Sequence, residues 1–423
     1  MNKHVFYAGA GCGDITFPDG YFPIEGYDSL HDGLHARAVI MKHDIEMLLV
    51  SLELPSIRPW YLIDEMRREL SEQTGIEVCH IWIAVTHSLS APHVPQTNEE
   101  RREADADRKQ KMHLDAVRKA LREATACAME NLQPAAIGIR SGNSNVISNR
   151  NIETADGWWV GISAKGPSDK TLFVMKIETL TGEPIALIYN YALKSCVLEN
   201  TIMSDGKKYG SADLCGAASR YVEERLHVPA VFFMGAAGDQ VPMMKSNYFD
   251  IDETGRMREV NLGEQGYDFL SSLGAQLGED ILNVAGIVEC IGDVDILKHR
   301  ELDLVVPGQV RYPKDYPAPP IRHYDYPAAE DQTIHVEAIQ INQDVILGVK
   351  PEILTVTNML LKRNSPFFHT LLFSMVNGGQ DYIPEDQDYE RFEYPALHAT
   401  VAKGADKIFL EQVVRWLKEM YQE

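Results

Sequence analysis

The chain has 423 residues, 45% of them hydrophobic, and a formal net charge of −22. Acidity of that size excludes a nucleic-acid partner, which needs Lys and Arg to displace phosphate counterions, and stable docking on anionic membrane. What remains is a small-molecule partner for a chain kept apart by its charge, with self-association into a homo-oligomer left open.

No apolar run reaches the roughly 18 residues of a membrane span. The N-terminal MNKHVFYAGAGCGDI lacks the long apolar core of a signal peptide. The six cysteines form no CxxC pair, and Cys127 and Cys290 sit in helical or apolar stretches, so all read as reduced thiols. These features predict a cytoplasmic protein.

In chain order, strands alternate with helices. HVFYAGAG reads as a strand running into a glycine turn, and ARAVIMKH with EMLLVSLEL as a hairpin about His43–Asp44. PWYLIDEMRRELSEQTG is an amphipathic helix closed by Gly75, and CHIWIAVTH a strand buried on both faces. Residues 98–131 carry apolar positions near helical spacing without Pro or Gly, which predicts one long helix. AIGIRSG, LFVMKIET and PIALIYNYAL are strand-like, followed by a helix from Asp213 to Leu226, the strand VPAVFFMGAAGD and a helix from Gly266 to Ala285. Residues 305–327 are proline-rich and read as a surface excursion. TIHVEAIQIN and VILGV form a second hairpin, PEILTVTNMLLKRN starts a helix, TLLFSMVNGG is a strand, and ADKIFLEQVVRWLKEMYQE closes the chain as a helix. The pattern predicts one α/β domain over 1–423, with mixed β-sheets packed together and flanked by α-helices.

Polar residues gather in four places. AVTHSLSAPH delivers His87 and then His93 from the tip of a buried strand, a setting suited to metal ligation or base work and equally to a satisfied core histidine. In LGVKPEILT, Glu352 falls at a helix start, where the dipole favours an acidic residue. VNGGQDYIPEDQDYERFEYPA supplies a tight turn and then Tyr382, Tyr389 and Tyr394. MGAAGDQVP is a glycine loop without the lysine of a phosphate-binding loop, and GAGCGD departs from GxGxxG, so neither supports nucleotide binding. HExxH, CxxC and GxSxG are all absent.

The order of these segments is itself informative. Asp14-Ile15-Thr16 is followed by Gly26-Tyr27, His31 and Ala36-Arg37-Ala38, then by Thr86-His87-Ser88 and Ser148-Asn149-Arg150. Asn190-Tyr191-Ala192, Ser211-Ala212-Asp213, Gly235-Ala236-Ala237-Gly238-Asp239, Glu352, Asn377-Gly378 and Tyr382-Ile383 complete the series. This ordered set resembles the catalytic domain of the neutral/alkaline non-lysosomal ceramidase family. The resemblance implies that family's fold and a zinc amidase site built from two His, one Glu and one Tyr. His87, Glu352 and Tyr382 match three of the zinc ligands, Arg150 and Tyr394 match groups that contact the reacting carbonyl or polar head, and His31 matches a further active-site histidine. The chain ends where the family's C-terminal immunoglobulin-like domain would begin.

Three positions depart from the family pattern. Lys194 stands where the second zinc histidine belongs, Leu89 replaces a histidine suited to proton transfer, and Val241 replaces a serine. A buried lysine beside a metal has three responses: it becomes a neutral amine that acts as base or ligand, it carries a carbamate, or its ammonium substitutes for the metal's charge. With metal retained, the expectation is a Zn2+-dependent hydrolase cleaving an amide, ester or lactone, with Lys194 or His93 handling the proton. Without it, the alternatives are a lysine-dependent isomerase, epimerase or lyase, or an inactive binding protein. The expected substrate is a small, polar, intracellular metabolite rather than ceramide.

Overall fold

The computed structural model describes residues 5–96, 105–316, 319–379 and 381–423. Eight strands form the larger sheet: β1 (Tyr7–Ile15), β2 (Leu34–Lys42), β3 (Glu46–Leu52), β4 (Ile81–Val85), β5 (Gln133–Asn143), β6 (Thr171–Thr179), β7 (Pro184–Tyr191) and β8 (Ala230–Met234). They lie in the order β8-β7-β6-β5-β1-β2-β3-β4. A four-stranded sheet, β9 (Leu297–Gln309), β10 (Ala328–Ile341), β11 (Asp344–Val349) and β12 (His369–Ser374), packs on one face of it. The helices α1 (Tyr61–Thr74), α2 (Ala106–Glu130), α3 (Asp213–Leu226) and α4 (Gln265–Ala285) cover the other face. Two further helices, α5 (Thr355–Asn364) and α6 (Ala405–Gln422), cover the outer face of the smaller sheet.

The mixed sheets flanked by helices are those the sequence pattern predicts, and the burial patterns explain them. Every residue of β4 is buried, because Trp82 and Ala84 face the smaller sheet while Ile81, Ile83 and Val85 face the helices. Between the sheets, Phe233 of β8 stacks on Phe373 of β12 with ring centroids 4.4 Å apart. Truncating either ring to Ala removes about 3–5 kcal/mol of packing. The hairpin at His43–Asp44, the close of α1 at Gly75 and the bounds of α3 all fall where the sequence places them.

The predicted glycine turn does not form. β1 continues through Gly9, Gly11 and Gly13, which line one face of the strand. A Cβ at each would lie 2.2 to 2.3 Å from the carbonyl oxygens of Ala128, Ala124 and Ala120. Two residues of strand and four of helix advance by nearly the same ~6–7 Å. α2 therefore lies backbone to backbone on β1, a contact that no residue with a side chain tolerates.

The predicted long helix is observed from Ala106, while residues 97–104 lie outside the described ones. The proline-rich excursion starts later than predicted, because β9 runs on to Gln309. A small sheet built from Gln240–Pro242, Ile147–Thr154 and Gly157–Ser163 has no counterpart in the sequence reading. Among the described residues no helix is long and apolar enough to cross a membrane.

Three parallel pairs, β3 with β4, β7 with β8, and β11 with β12, aim their carboxyl ends into one region. Asn190 ties the sheets there, donating from Nδ2 to the carbonyls of Phe233 and Leu372, each at 2.9 Å. Asn377 does the same job from the other side: its Oδ1 accepts from Ile83 N at 2.9 Å and its Nδ2 donates to Glu337 at 2.8 Å.

Candidate active site

A cavity of about 920 Å³ opens at those strand ends, lined by His87, Arg150, Lys194, Glu352, Tyr382 and Tyr394. Each side chain is positioned by its own element. His87 follows β4 in a left-handed conformation, φ 54°, strained for a residue that carries a Cβ. Lys194 follows β7 and is 2% exposed.

Asp213, at the start of α3, braces both loops. Its carboxylate accepts from Ser90 Oγ at 2.5 Å and from the backbone N–H groups of Val197 and Leu198 at 2.9 and 2.8 Å. Asp239 anchors Arg150: its backbone carbonyl accepts from Arg150 N at 2.9 Å, and its carboxylate accepts from Asn149 Nδ2 and Thr355 Oγ1.

Glu352 is not in the first turn of a helix. Glu352–Ile353 form a two-residue strand, parallel to Tyr382–Ile383, and α5 begins only at Thr355. Glu352 and Tyr382 are direct cross-strand neighbours, so the short ladder sets their side chains side by side.

Around Glu352 the groups converge. Lys194 Nζ lies 2.7 Å from Glu352 Oε2 and donates to the Tyr382 hydroxyl at 3.3 Å. His87 Nε2 lies 3.4 Å from Glu352 Oε1. The other ring nitrogen, Nδ1, is 2.7 Å from the Pro55 carbonyl. A carbonyl only accepts, so Nδ1 carries a proton, and Nε2 is the ring atom left to meet the carboxylate: it donates to Glu352 Oε1 when the ring is charged and offers a lone pair to a cation between them when the ring is neutral.

Burial alone would raise the Glu352 pKa, but Lys194 and then His87 hold it well below the usual carboxylate range. Burial, then the charge of Arg150, lowers Lys194 against the pull of Glu352. Burial, then Glu352, lifts the Tyr382 phenol well above its ordinary value.

Arg150 is 4% exposed, with its guanidinium carbon 5.2 Å from the Tyr382 ring centre and 4.9 Å from that of Tyr394. Its Nε and Nη2 have no hydrogen-bond partner among the described residues. Two buried donors without a partner are costly, and the residue that carries them lines the cavity. The Tyr394 hydroxyl is pushed up to about 12, by burial and then by Tyr382, so it stays a donor at neutral pH.

The donor set also fits a divalent cation. Bonds of ~2.0–2.1 Å in a tetrahedral zinc site place ligand atoms about 3.3–3.4 Å apart, the spacing of His87 Nε2 and Glu352 Oε1. A ring N–H tied to a backbone carbonyl is the usual support for a metal-ligating histidine. His87 Nε2, the Glu352 carboxylate and the Tyr382 oxygen would hold the ion, with Lys194 beside them. Two other candidate groups among the described residues, Cys79–His80–His299 and His299–Glu301–Glu337, do not line the cavity. In the second, His299 and Asn377 already bond to Glu337.

Two predicted residues take other places. His31 is exposed and does not line the cavity: its N–H is bonded to Gly210 O and its ring stacks on Tyr267 of α4 at 4.0 Å. His93 reaches only the rim, where Glu25 binds its Nδ1 at 3.1 Å. Leu89 and Val241 line the cavity and make its wall apolar where they stand. One residue that the sequence reading missed is His398, which stacks on Tyr394 at 3.9 Å and also lines the cavity. The i,i+4 spacing of Tyr394 and His398 was the signal available for it.

The same arrangement of sheets occurs in solved structures. Neutral ceramidase from Pseudomonas aeruginosa superposes with a TM-score of 0.71 at 15% identity, covering 98% of this chain and 74% of that one. The fold is that of neutral ceramidase. A ceramidase solved in complex with C2 gives the same TM-score and identity over 97% of this chain and 74% of its own. No protein-family model and no curated protein matches the sequence. On this fold, Lys194 lines the cavity beside Glu352.

Proposed function

We propose that the chain is a hydrolase that cleaves an amide, ester or lactone bond of a small polar metabolite, using a divalent metal ion of the zinc type. His87, Glu352 and Tyr382 hold the ion. When bound, it supplies a Lewis acid and a water of lowered pKa.

The chain's own groups do the rest. The Arg150 guanidinium and the Tyr394 hydroxyl bind the carbonyl oxygen as negative charge develops on it. Lys194 Nζ, a neutral amine once the ion is bound beside it, takes the proton of the attacking water and delivers it to the leaving group. His93 is excluded from that task by its place at the rim and its bond to Glu25.

The observation that carries the reading is the convergence of two ligand-type atoms, His87 Nε2 and Glu352 Oε1, at 3.4 Å with the other ring nitrogen already tied. The ion pair of Lys194 with Glu352 counts against lysine as the free amine of Schiff-base chemistry. Elemental analysis of protein purified without chelators tests the reading. The expected content is about one divalent ion per chain, lost in His87→Ala and Glu352→Gln. A metal-free protein whose melting temperature ignores added zinc, manganese and cobalt would sink it.

A further inference from the structure

The cavity's charge runs against that of the chain. The protein carries a net charge of −22, yet among the described residues seven lining side chains are cationic and four are acidic. Much of this cancels locally. Lys194 pairs with Glu352, Lys245 pairs with Glu199 at 2.8 Å, and Glu25 is engaged by His93.

What does not cancel sits on one side. Asp381 is a single carboxylate shared by two guanidinium groups, Arg58 at 3.4 Å on Oδ1 and Arg311 on Oδ2. Arg58 also lies over the Trp60 ring, 4.9 Å from its centre. Lys314 and Lys350 line the same cavity, and no carboxylate among the described residues pairs with either. Deeper in, Arg150 keeps two buried nitrogens without a partner.

Two lysines left unpaired beside Arg311 at a concave site focus positive potential into it and raise the local concentration of anions. The lining between rim and centre includes Trp60, Trp159, Tyr248 and Phe249, a surface for an apolar or ring-shaped body. A volume of about 920 Å³ admits a ligand well beyond the size of an amino acid.

We infer that the substrate is an acid, which presents its acyl carbonyl to Arg150 and an anionic group, carboxylate or phosphate-type, to the rim of Arg311, Lys314 and Lys350. The placing of the carbonyl rests on the hydrolytic reading above; the placing of the anion does not. An extended acid reaching from rim to centre explains why the cations stand at the mouth and the buried, unpartnered guanidinium at the bottom. It also sets this site apart from one built for an uncharged lipid amide, whose entrance has no use for unpaired lysines.

Matched-pair binding tests the inference. Hippurate, N-acetylglutamate and glucuronate are titrated calorimetrically into the full chain, each beside its neutral amide, together with N-benzoylaminomethylphosphonate. At least one anion is expected to bind roughly tenfold or more tightly than its amide, with an affinity that falls as salt rises from 50 to 300 mM, a range that spans the Debye length. Preference for the phosphonate would assign the rim to phosphate-type groups, and preference for the carboxylates to acids.

Arg311→Gln and Lys350→Gln are expected to weaken the anion by roughly fivefold to tenfold each and to leave the amide unchanged. Lys418→Gln, the same change of charge on exposed α6, is expected to change neither. Amides that bind as well as acids, variants that weaken both alike, or no anion bound at millimolar concentration would overturn the inference. A protein that prefers anions but holds no metal and turns nothing over keeps the inference and loses the hydrolytic reading. Turnover with no preference between acid and amide does the reverse.

Discussion

Two of the buried ion pairs among the described residues are finished differently. In the larger sheet, Arg37 of β2 donates to Glu53 at 2.6 Å and makes two more bonds to Glu223 of α3, at 2.6 and 3.0 Å. The second oxygen of Glu53 accepts from both the backbone N–H and the ring of His35, each at 2.8 Å. All three guanidinium nitrogens and both Glu53 oxygens are used. At the cavity, Lys194 and Glu352 are as deeply buried, yet His87 Nε2 stands off the carboxylate at 3.4 Å, and Arg150 beside them keeps two nitrogens without a partner among the described residues. A closed network orders the fold; an open one is held ready for something else.

The largest expected effect separates the two directly. Arg37→Ala strands Glu53 and Glu223 without their cation and should cost about 3–5 kcal/mol in urea denaturation. Arg150→Gln removes a guanidinium whose bonds are incomplete, so stability should move by less than about 1 kcal/mol. On any substrate the protein turns over, however, kcat should fall by roughly 10²–10³, the cost of one oxyanion donor. If Arg150→Gln unfolds the protein while Arg37→Ala does not, the distinction between closed and open networks fails.

That contrast also marks what the sequence could show. Arg37 and Arg150 both stand in motifs that resemble the ceramidase pattern, and nothing in the linear text says which one builds and which one binds. Glu352 was placed on a helix because a two-residue ladder is too short to leave a period. The strand bearing Arg150, ISNRNIET, was missed because polar residues interrupt its alternation. The Arg58–Asp381–Arg311 cluster was out of reach for another reason: its members come from three loops more than 60 residues apart, and only the meeting of strand ends assembles them. The long apolar segments, by contrast, declared both sheets and the major helices, since burial on one or two faces dictates their composition.

A second, smaller effect sharpens the closed network. Burial alone would raise the Glu53 pKa, but Arg37 and then His35 hold it at about 2, against an ordinary 4.5. A depressed carboxylate contributes its stability above the unfolded value and loses it as pH falls through the folded one. The contribution, of order 3 kcal/mol, should therefore be complete above about pH 4.5 and drain away toward pH 2. Glu385 works in the opposite sense: burial lifts it to about 7, so raising pH from 4.5 to 7 ionises it at the fold's expense. Stability measured by urea should fall on acidification below pH 4.5, and the fall should be shallower in Arg37→Ala, where Glu53 has lost its main cation. Identical acid limbs in the two proteins would remove Arg37 as the cause.

The smallest expected effect concerns the open network and the residue at its centre. If the open side of Glu352 is a metal position, Lys194 weakens it, because an amine must shed a proton before it tolerates a neighbouring cation, whereas an imidazole is already neutral near pH 7. Lys194→His should then raise zinc affinity by roughly 10–100-fold at pH 7, read by competition with a chelating dye. The pH dependence should change with it. Binding to the natural chain should strengthen steadily with pH as the lysine proton is released, while binding to the variant should level off above about pH 7, past the titration of histidine. Titration in two buffers of different ionisation enthalpy counts that proton. An unchanged or lower zinc affinity would mean that Lys194 does not border a metal position, and that its ion pair with Glu352 is as closed as the one in the sheet.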